Sequence, residues 1–314
     1  MNTKQVAIVT GANGFLGRNM VVNLAENGYK VYAVIRSETI PKTELLRDGV
    51  EIIYSNMCDY DSLHNRLTNV EGALFFHFAW ADTSGVGRSN EEKQLENVQG
   101  ACNSVRLAVR LGCKRFIMPS SIMEYEISEI IHTEEKCSSN HIYSIAKMSA
   151  NYLCKLIAMQ EGMEYVSGII SNIYGPGEET PRFINSTIRS FLKGNYVKFS
   201  KGDQLYDFIY ISDAINCFRI IAEKGKNYNE YYIGNEKVYP LKEFIVRLAK
   251  VLSCEKLVGL GEILFYGKSV DYSKIHIERI KNELSYENDV SFEKGIILTA
   301  DWINKNKENG NVVI

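Results

Sequence analysis

The sequence predicts an α/β protein: a Rossmann-type doubly wound parallel sheet with helices on both faces, followed by a smaller mixed α/β part. Three observations predict it. Short apolar runs alternate with helical segments as far as residue 172, the rhythm of βα units whose strands are buried on both sides. A glycine-rich turn follows the first run. Beyond Asn172 the alternation gives way to loops, helices and short strands.

The elements follow in order. "VAIVT" (6–10) is an apolar strand that ends in the glycine turn, and "FLGRNMVVNLAENG" (15–28) has helical periodicity and stops at Gly28. "KVYAVI" (30–35) and "VEIIYS" (50–55) are the second and third strands, and "DYDSLHNRL" (59–67) is a short helix with an acidic start. "ALFFHFA" (73–79) is the fourth strand, followed by a long helix from Glu91 to Leu111 closed by Gly112. "RFIMPS" (115–120) is the fifth, and a helix over 142–161 feeds the strand "YVSGII" (165–170). Gly175, Pro176, Gly177 and Pro181 make "NIYGPGEETPRF" loop-like. Helices are expected over 182–193, 212–224, 240–252 and 291–305, with short strands at "VKF", "FIYI" and "EYYIG". This divides the chain into a dinucleotide-binding domain over 1–172 and a substrate-binding part over 173–314, with segments near 207–234 returning to the first domain.

Composition narrows the function. A net charge of -2 provides no global basic field for nucleic acid, so any phosphate must be held by local geometry. The seven cysteines (58, 102, 113, 137, 154, 217, 254) are scattered without a CxxC, which suits free thiols in a reducing cytoplasm and leaves no metal site. The N-terminus runs straight into a strand, so no signal peptide is expected, and the longest apolar stretch is too short to span a bilayer.

"TGANGFLG" sets Gly11, Gly14 and Gly17 three apart between a strand and an amphipathic helix. Glycine permits the sharp turn and the close approach of a pyrophosphate, and the helix N-terminus offers unpaired N–H groups. An acid usually ends the second strand where NAD is held by its ribose hydroxyls. Here "AVIRSET" places Arg36 there, and a guanidinium suits a 2′-phosphate. NADP(H) is therefore the expected cofactor, with NAD as the alternative.

"HIYSIAK" puts Tyr143 and Lys147 four apart, on one face of a helix. A nearby ammonium stabilises phenolate, so the pair is expected to bring the tyrosine pKa down and let it exchange a proton near neutrality. Ser120 and Ser121 close the fifth strand, within reach of the same substrate oxygen.

TGxxGxxG, a serine after the fifth strand and YxxxK together resemble the extended short-chain dehydrogenase/reductase superfamily. "NIYGPG" and "YDFIYISDA" are similar to stretches of its nucleotide-sugar epimerase and dehydratase branch. The resemblance covers nearly the whole chain and implies roles for particular residues. Tyr143 becomes the acid/base and Lys147 also a ribose ligand; Ser121, or less directly Ser120, polarises the substrate oxygen. Asn13, Phe15 and Leu16 join the glycines around the pyrophosphate, Asn56 and Met57 lie near the adenine, and Phe78, Ala79 and Trp80 pass the cofactor ribose and phosphates. Thr83, Ser84, Asn172 and Arg182 become substrate contacts, although Trp80 is equally suited to packing.

The departures narrow the chemistry further. The Asp–Glu pair that drives water elimination in the branch's dehydratases is Ile122–Met123 here, so dehydration is not expected. Glu124, one step further on, is expected to point elsewhere, because one step in an extended segment reverses the side chain. The arginine that grips the diphosphate in UDP-hexose epimerases is Tyr206. The expected activity is an NADP(H)-dependent reduction of a nucleotide-activated keto sugar. The alternatives are an NAD-dependent epimerase using the same residues and, more remotely, a non-catalytic dinucleotide sensor. The superfamily also pairs the helices near 91–111 and 142–161 between subunits. The apolar circumference of the second (Ile142, Ile145, Met148, Leu153, Leu156, Ile157) fits a homodimer.

Overall fold

The computed structural model describes residues 5–132, 138–139, 141–265 and 269–308. A seven-stranded parallel sheet forms its centre, in the spatial order β11-β6-β5-β4-β1-β2-β3. Its strands are β1 (Val6–Thr10), β2 (Lys30–Ile35), β3 (Val50–Tyr54), β4 (Leu74–His77), β5 (Arg115–Ser121), β6 (Glu164–Ile170) and β11 (Glu230–Ile233). The chain starts in the middle, winds outward through β2 and β3, then returns across β1 to β4. This reversal opens a crevice above the carboxyl ends of β1 and β4, the place where ligands bind in such sheets.

Both faces are covered, which is why the strands read as unbroken apolar runs. On one side lie α1 (Phe15–Glu26) and α6 (Ile211–Lys224); Met20, Leu24 and Phe218 are buried there. On the other lie α2 (Glu91–Arg110), α4 (His141–Gln160) and a 3-10 segment over Met57–Asn65, burying Phe75, Phe116 and Tyr165. Arg115 is buried at the base of β5. It bonds Glu164 at 2.7 Å and the carbonyls of Ile221 and Ala222, tying β5, β6 and α6 together.

Between β5 and α4 a further helix, α3 (Glu124–His132), begins after a two-residue turn at Ile122–Met123. Nothing in the apolar pattern announced it. The segment expected to be loop-like after β6 contains a strand, β7 (Asn172–Tyr174), parallel to β10 (Phe208–Tyr210). Asn172 Nδ2 donates to the Asp207 carbonyl at 3.0 Å and so pins that pairing. The remaining strands are two-residue pairs, β8 (Val197–Lys198) with β13 (Val258–Gly259) and β9 (Leu205–Tyr206) with β12 (Tyr239–Pro240). Helices α5 (Phe183–Leu192), α7 (Leu241–Val251), α8 (Arg279–Leu284) and α9 (Phe292–Glu308) complete the later half.

Six cysteines are free thiols, and Cys137 lies outside the described residues. Among the described residues no group of His, Cys, Asp and Glu could hold a metal ion, and no helix is long and apolar enough to cross a membrane.

Candidate active site

The glycine turn sits above β1. Gly11 has φ +66°, and a Cβ there would lie 2.6 Å from the Ala79 nitrogen at the end of β4. A Cβ on Gly17 would lie within van der Waals overlap of the Gly11 carbonyl. Gly14 differs: it is exposed, and its Cβ would meet only the Gly11 oxygen, at 3.2 Å. The turn is thus closed on its protein side and open at Gly14, the N-cap of α1. That helix start has no side-chain cap and no acid in its first turn, which leaves its positive end for an anion. These features fit a dinucleotide pyrophosphate.

Other expected cofactor residues gather along the same crevice. Arg36 is exposed just past the end of β2, and Ser37 N approaches Asn56 Oδ1 at 3.4 Å, joining the loops after β2 and β3. Asn13 spends its side chain on the loop beside the turn: Nδ2 donates to the Ile40 carbonyl at 2.9 Å, and Oδ1 accepts from Lys42 N at 2.7 Å. Arg18, buried one residue after Gly17, donates to the Gly177 carbonyl and holds α1 to the 175–179 loop.

Tyr143 and Lys147 occupy the first two turns of α4, 9% and 6% exposed. Trp80 packs against both. Lys147 Nζ lies 3.7 Å from the Trp80 ring centroid, and Trp80 meets Tyr143 edge-on at 6.2 Å. Such a cation–π contact favours the charged amine. Trp80 is itself fixed by its Nε1–H to Gln94 Oε1 at 3.0 Å, and Asn97 bonds both the N–H and the carbonyl of Ala81. Trp80 thus packs directly on the Tyr143–Lys147 pair. Ser121 Oγ accepts from Met123 N at 3.2 Å, and Ser121 is among the groups that oppose the rise of the Tyr143 pKa.

The electrostatics correct one expectation. Burial raises the Tyr143 pKa above its ordinary value, and the cations that oppose this are Arg182 and Arg88. Lys147 is itself lowered to about 7 by burial, with Glu124 acting in the opposite direction. The cations that limit the rise at the phenol are thus two arginines from other elements rather than Lys147. Arg88 places its guanidinium carbon 4.4 Å from the Tyr143 ring centroid, and Arg182 reaches the Thr83 carbonyl at 3.4 Å. Arg88 was missed from sequence because nothing in "GVGRSN" marks it.

A second correction concerns Glu124. It does not point away: the chain turns after Ser121, and as the first residue of α3 Glu124 folds back under the serines. Its Oε1 accepts from Ser120 Oγ at 2.7 Å and from Ser121 N at 3.0 Å. Ile122 is buried and Met123 partly buried in one apolar cluster, so neither position of the dehydratase acid pair carries a titratable group. Ser120, bonded to Glu124, supports the site from beneath.

The profile of the NAD dependent epimerase/dehydratase family matches residues 7–234. The chain belongs to that family. It is an enzyme of the short-chain dehydrogenase/reductase type, and the glycine turn, Ser121, Tyr143 and Lys147 all lie within the matched stretch. A CDP-abequose synthase of Salmonella typhimurium is 23% identical over 307 residues, covering 93% of this chain and 96% of the relative. UDP-glucuronic acid decarboxylase 1 of Xenopus tropicalis is 26% identical over 323 residues, covering 96% and 73%. The solved UDP-glucose 4-epimerase of Thermotoga maritima superposes with a TM-score of 0.78 at 22% identity, covering 96% of this chain and 100% of that one. The last likeness shows the shared fold.

Proposed function

We propose that this member of the NAD dependent epimerase/dehydratase family is an NADP(H)-dependent reductase of a nucleotide-activated keto sugar. The observation that carries the reading is the convergence of Tyr143, Ser121 and Lys147 above β5, at the mouth of the crevice that begins at Gly11. Bound in that crevice, the cofactor would be held by the glycine turn, by Asn56 and Met57 at its adenine end and by Lys147 at the nicotinamide ribose. It would supply the hydride.

The chain's own residues do the rest. Ser121 binds the substrate oxygen and fixes its distance from Tyr143. Tyr143 delivers a proton to that oxygen, and its burial keeps the proton on the phenol until the oxygen gains negative charge. Arg88 and Arg182 stabilise the phenolate left behind. Thr83 and Ser84 flank the entrance as contacts for sugar hydroxyls. Dehydration is disfavoured because Ile122 and Met123 cannot exchange a proton.

The NADP(H) preference rests on Arg36. Its guanidinium stands exposed where an acid would otherwise bind the adenosine ribose. Arg36→Ala is expected to weaken NADPH binding about ten- to a hundredfold, the worth of a charge-assisted hydrogen bond, with NADH little affected. Parallel titrations with the two cofactors check this; equal losses for both would refute the assignment. Protein purified with stoichiometric NAD already bound would instead support an epimerase.

A homodimer is part of the same proposal. Ile145, Tyr152, Leu153, Leu156 and Met159 are exposed on α4, and Leu95 on α2, which packs beside it. Sedimentation is expected to give twice the chain mass of 35.7 kDa. A monomer at micromolar concentration would contradict it.

A further inference from the structure

The acid/base reading leaves one buried carboxylate unused. Glu124 is 8% exposed. Three donors converge on it: Ser120 Oγ and Ser121 N on one oxygen, and Asn151 Nδ2 on the other at 3.2 Å. These three hydrogen bonds favour the anion and oppose the effect of burial. Asn151 anchors this arrangement outward, donating also to Glu230 Oε1 at 3.1 Å and accepting from the Tyr165 hydroxyl at 2.6 Å. Tyr143, Lys147 and Asn151 follow one another at four-residue steps on α4, so all three leave the same face. Among the described residues Lys147 Nζ finds only a long contact, 3.4 Å, to the carbonyl of Pro119, the neighbour of the Glu124-bonded Ser120, besides the Trp80 ring.

We propose that Glu124 is the counter-charge of Lys147: a positioning residue that keeps the buried ammonium protonated beneath Tyr143 and clamps Ser121 through its backbone N–H. The inference rests on the acid/base assignment above but not on the identity of the substrate.

The physical case is one of compensation. A lone ammonium buried to this degree would lose its proton, and a nearby anion restores it. Burial pushes Glu124 up to about 7, against its three donors and Lys147. Lys147 is brought down to about 7 by burial and held there by Glu124. The other groups facing the pair are Tyr125 on α3; Tyr143, Tyr152 and Cys154 on α4; His77 on β4; Tyr165 on β6; and Glu230 on β11. Burial lowers His77 to about 3, so its ring is neutral. The four phenols are all raised by burial, and Cys154 is raised by its bond to Cys102 and by burial. Glu230 reaches the pair only through Asn151. Cys102, beside Cys154, is lowered to about 7 by that contact, so a change of charge near neutrality is assigned to Lys147 by its own resonance.

The test is Glu124→Gln, which removes the charge and retains an acceptor for Ser121 N–H. The Lys147 amine is followed by carbon NMR of lysine-labelled protein without substrate, its resonance identified by its loss in Lys147→Met. The midpoint in Glu124→Gln is expected about one pH unit or more below that of the unsubstituted protein. Because the protonated amine is the working form, activity should also begin to fall at a lower pH. An unchanged Lys147 midpoint would overturn the proposal, as would a uniform loss of kcat with no movement of the pH profile, since that is what mere bracing of the serine turn produces. Should Glu124→Gln fail to fold, Ser120→Ala removes one donor, makes the carboxylate easier to protonate, and must move the midpoint the same way by a smaller amount. If the midpoint moves while no nucleotide sugar is turned over, the substrate assignment fails and this inference stands.

Discussion

Tyr143→Phe is expected to lower kcat for keto-sugar reduction by about 10²–10⁴-fold, the range for loss of a positioned general acid. NADPH binding and thermal stability should be nearly unchanged. The ring stays to pack under Arg88 and against Trp80, so neither contact is lost. Ser121 keeps its bond from Met123 N, so the serine turn retains a partner. The effect should appear in kcat more than in KM, because the missing hydroxyl acts as charge develops on the substrate oxygen. Steady-state rates for the purified variant check this. A variant with near-normal turnover would remove Tyr143 from the chemistry and leave the cluster a packing motif.

Gly11→Ala should have the second largest effect, on binding. The residue stands at φ +66°, a region side chains rarely adopt, and the added carbon would lie 2.6–2.7 Å from the backbone of Phe78 and Ala79. Neither neighbour can swing aside as a side-chain end could, since both follow the last residue of β4. The expected cost is about 2–4 kcal/mol of stability. The turn must also open, so NADPH affinity should fall more than about tenfold. Thermal melts with and without NADPH measure both. Gly14→Ala is a useful contrast: its added carbon meets a single oxygen at 3.2 Å, so stability should change little while the ligand side of the turn is crowded.

The parts legible in the sequence are those specified by short-range patterns. The glycine turn needs three glycines within seven residues, between a strand and a helix. Tyr143 and Lys147 need only helical spacing, and the sheet strands need only apolar runs. Asn151, one further four-residue step along α4, and the pair Gln94 and Asn97 carried a similar spacing signal that could have marked them. Arg88 carried none: its place over the Tyr143 ring follows from how the 80–89 loop returns to α4. Glu124 was misread for a definite reason. The alternation rule holds only while the chain is extended, and here a two-residue turn after β5 leads into α3, bringing the side chain back under the serines. The acidity of Tyr143 was assigned to the nearest cation in sequence, whereas the opposing charges in space are two arginines from other elements.

The central claim is tested most directly by mixing purified protein with NADPH and a panel of nucleotide-activated keto sugars, following NADPH absorbance and product mass together. The account predicts that at least one sugar is reduced to its alcohol with NADPH consumed one for one, and that Tyr143→Phe abolishes both signals. A sugar converted to its epimer with no net loss of NADPH, or NADPH left untouched across the whole panel, would contradict it.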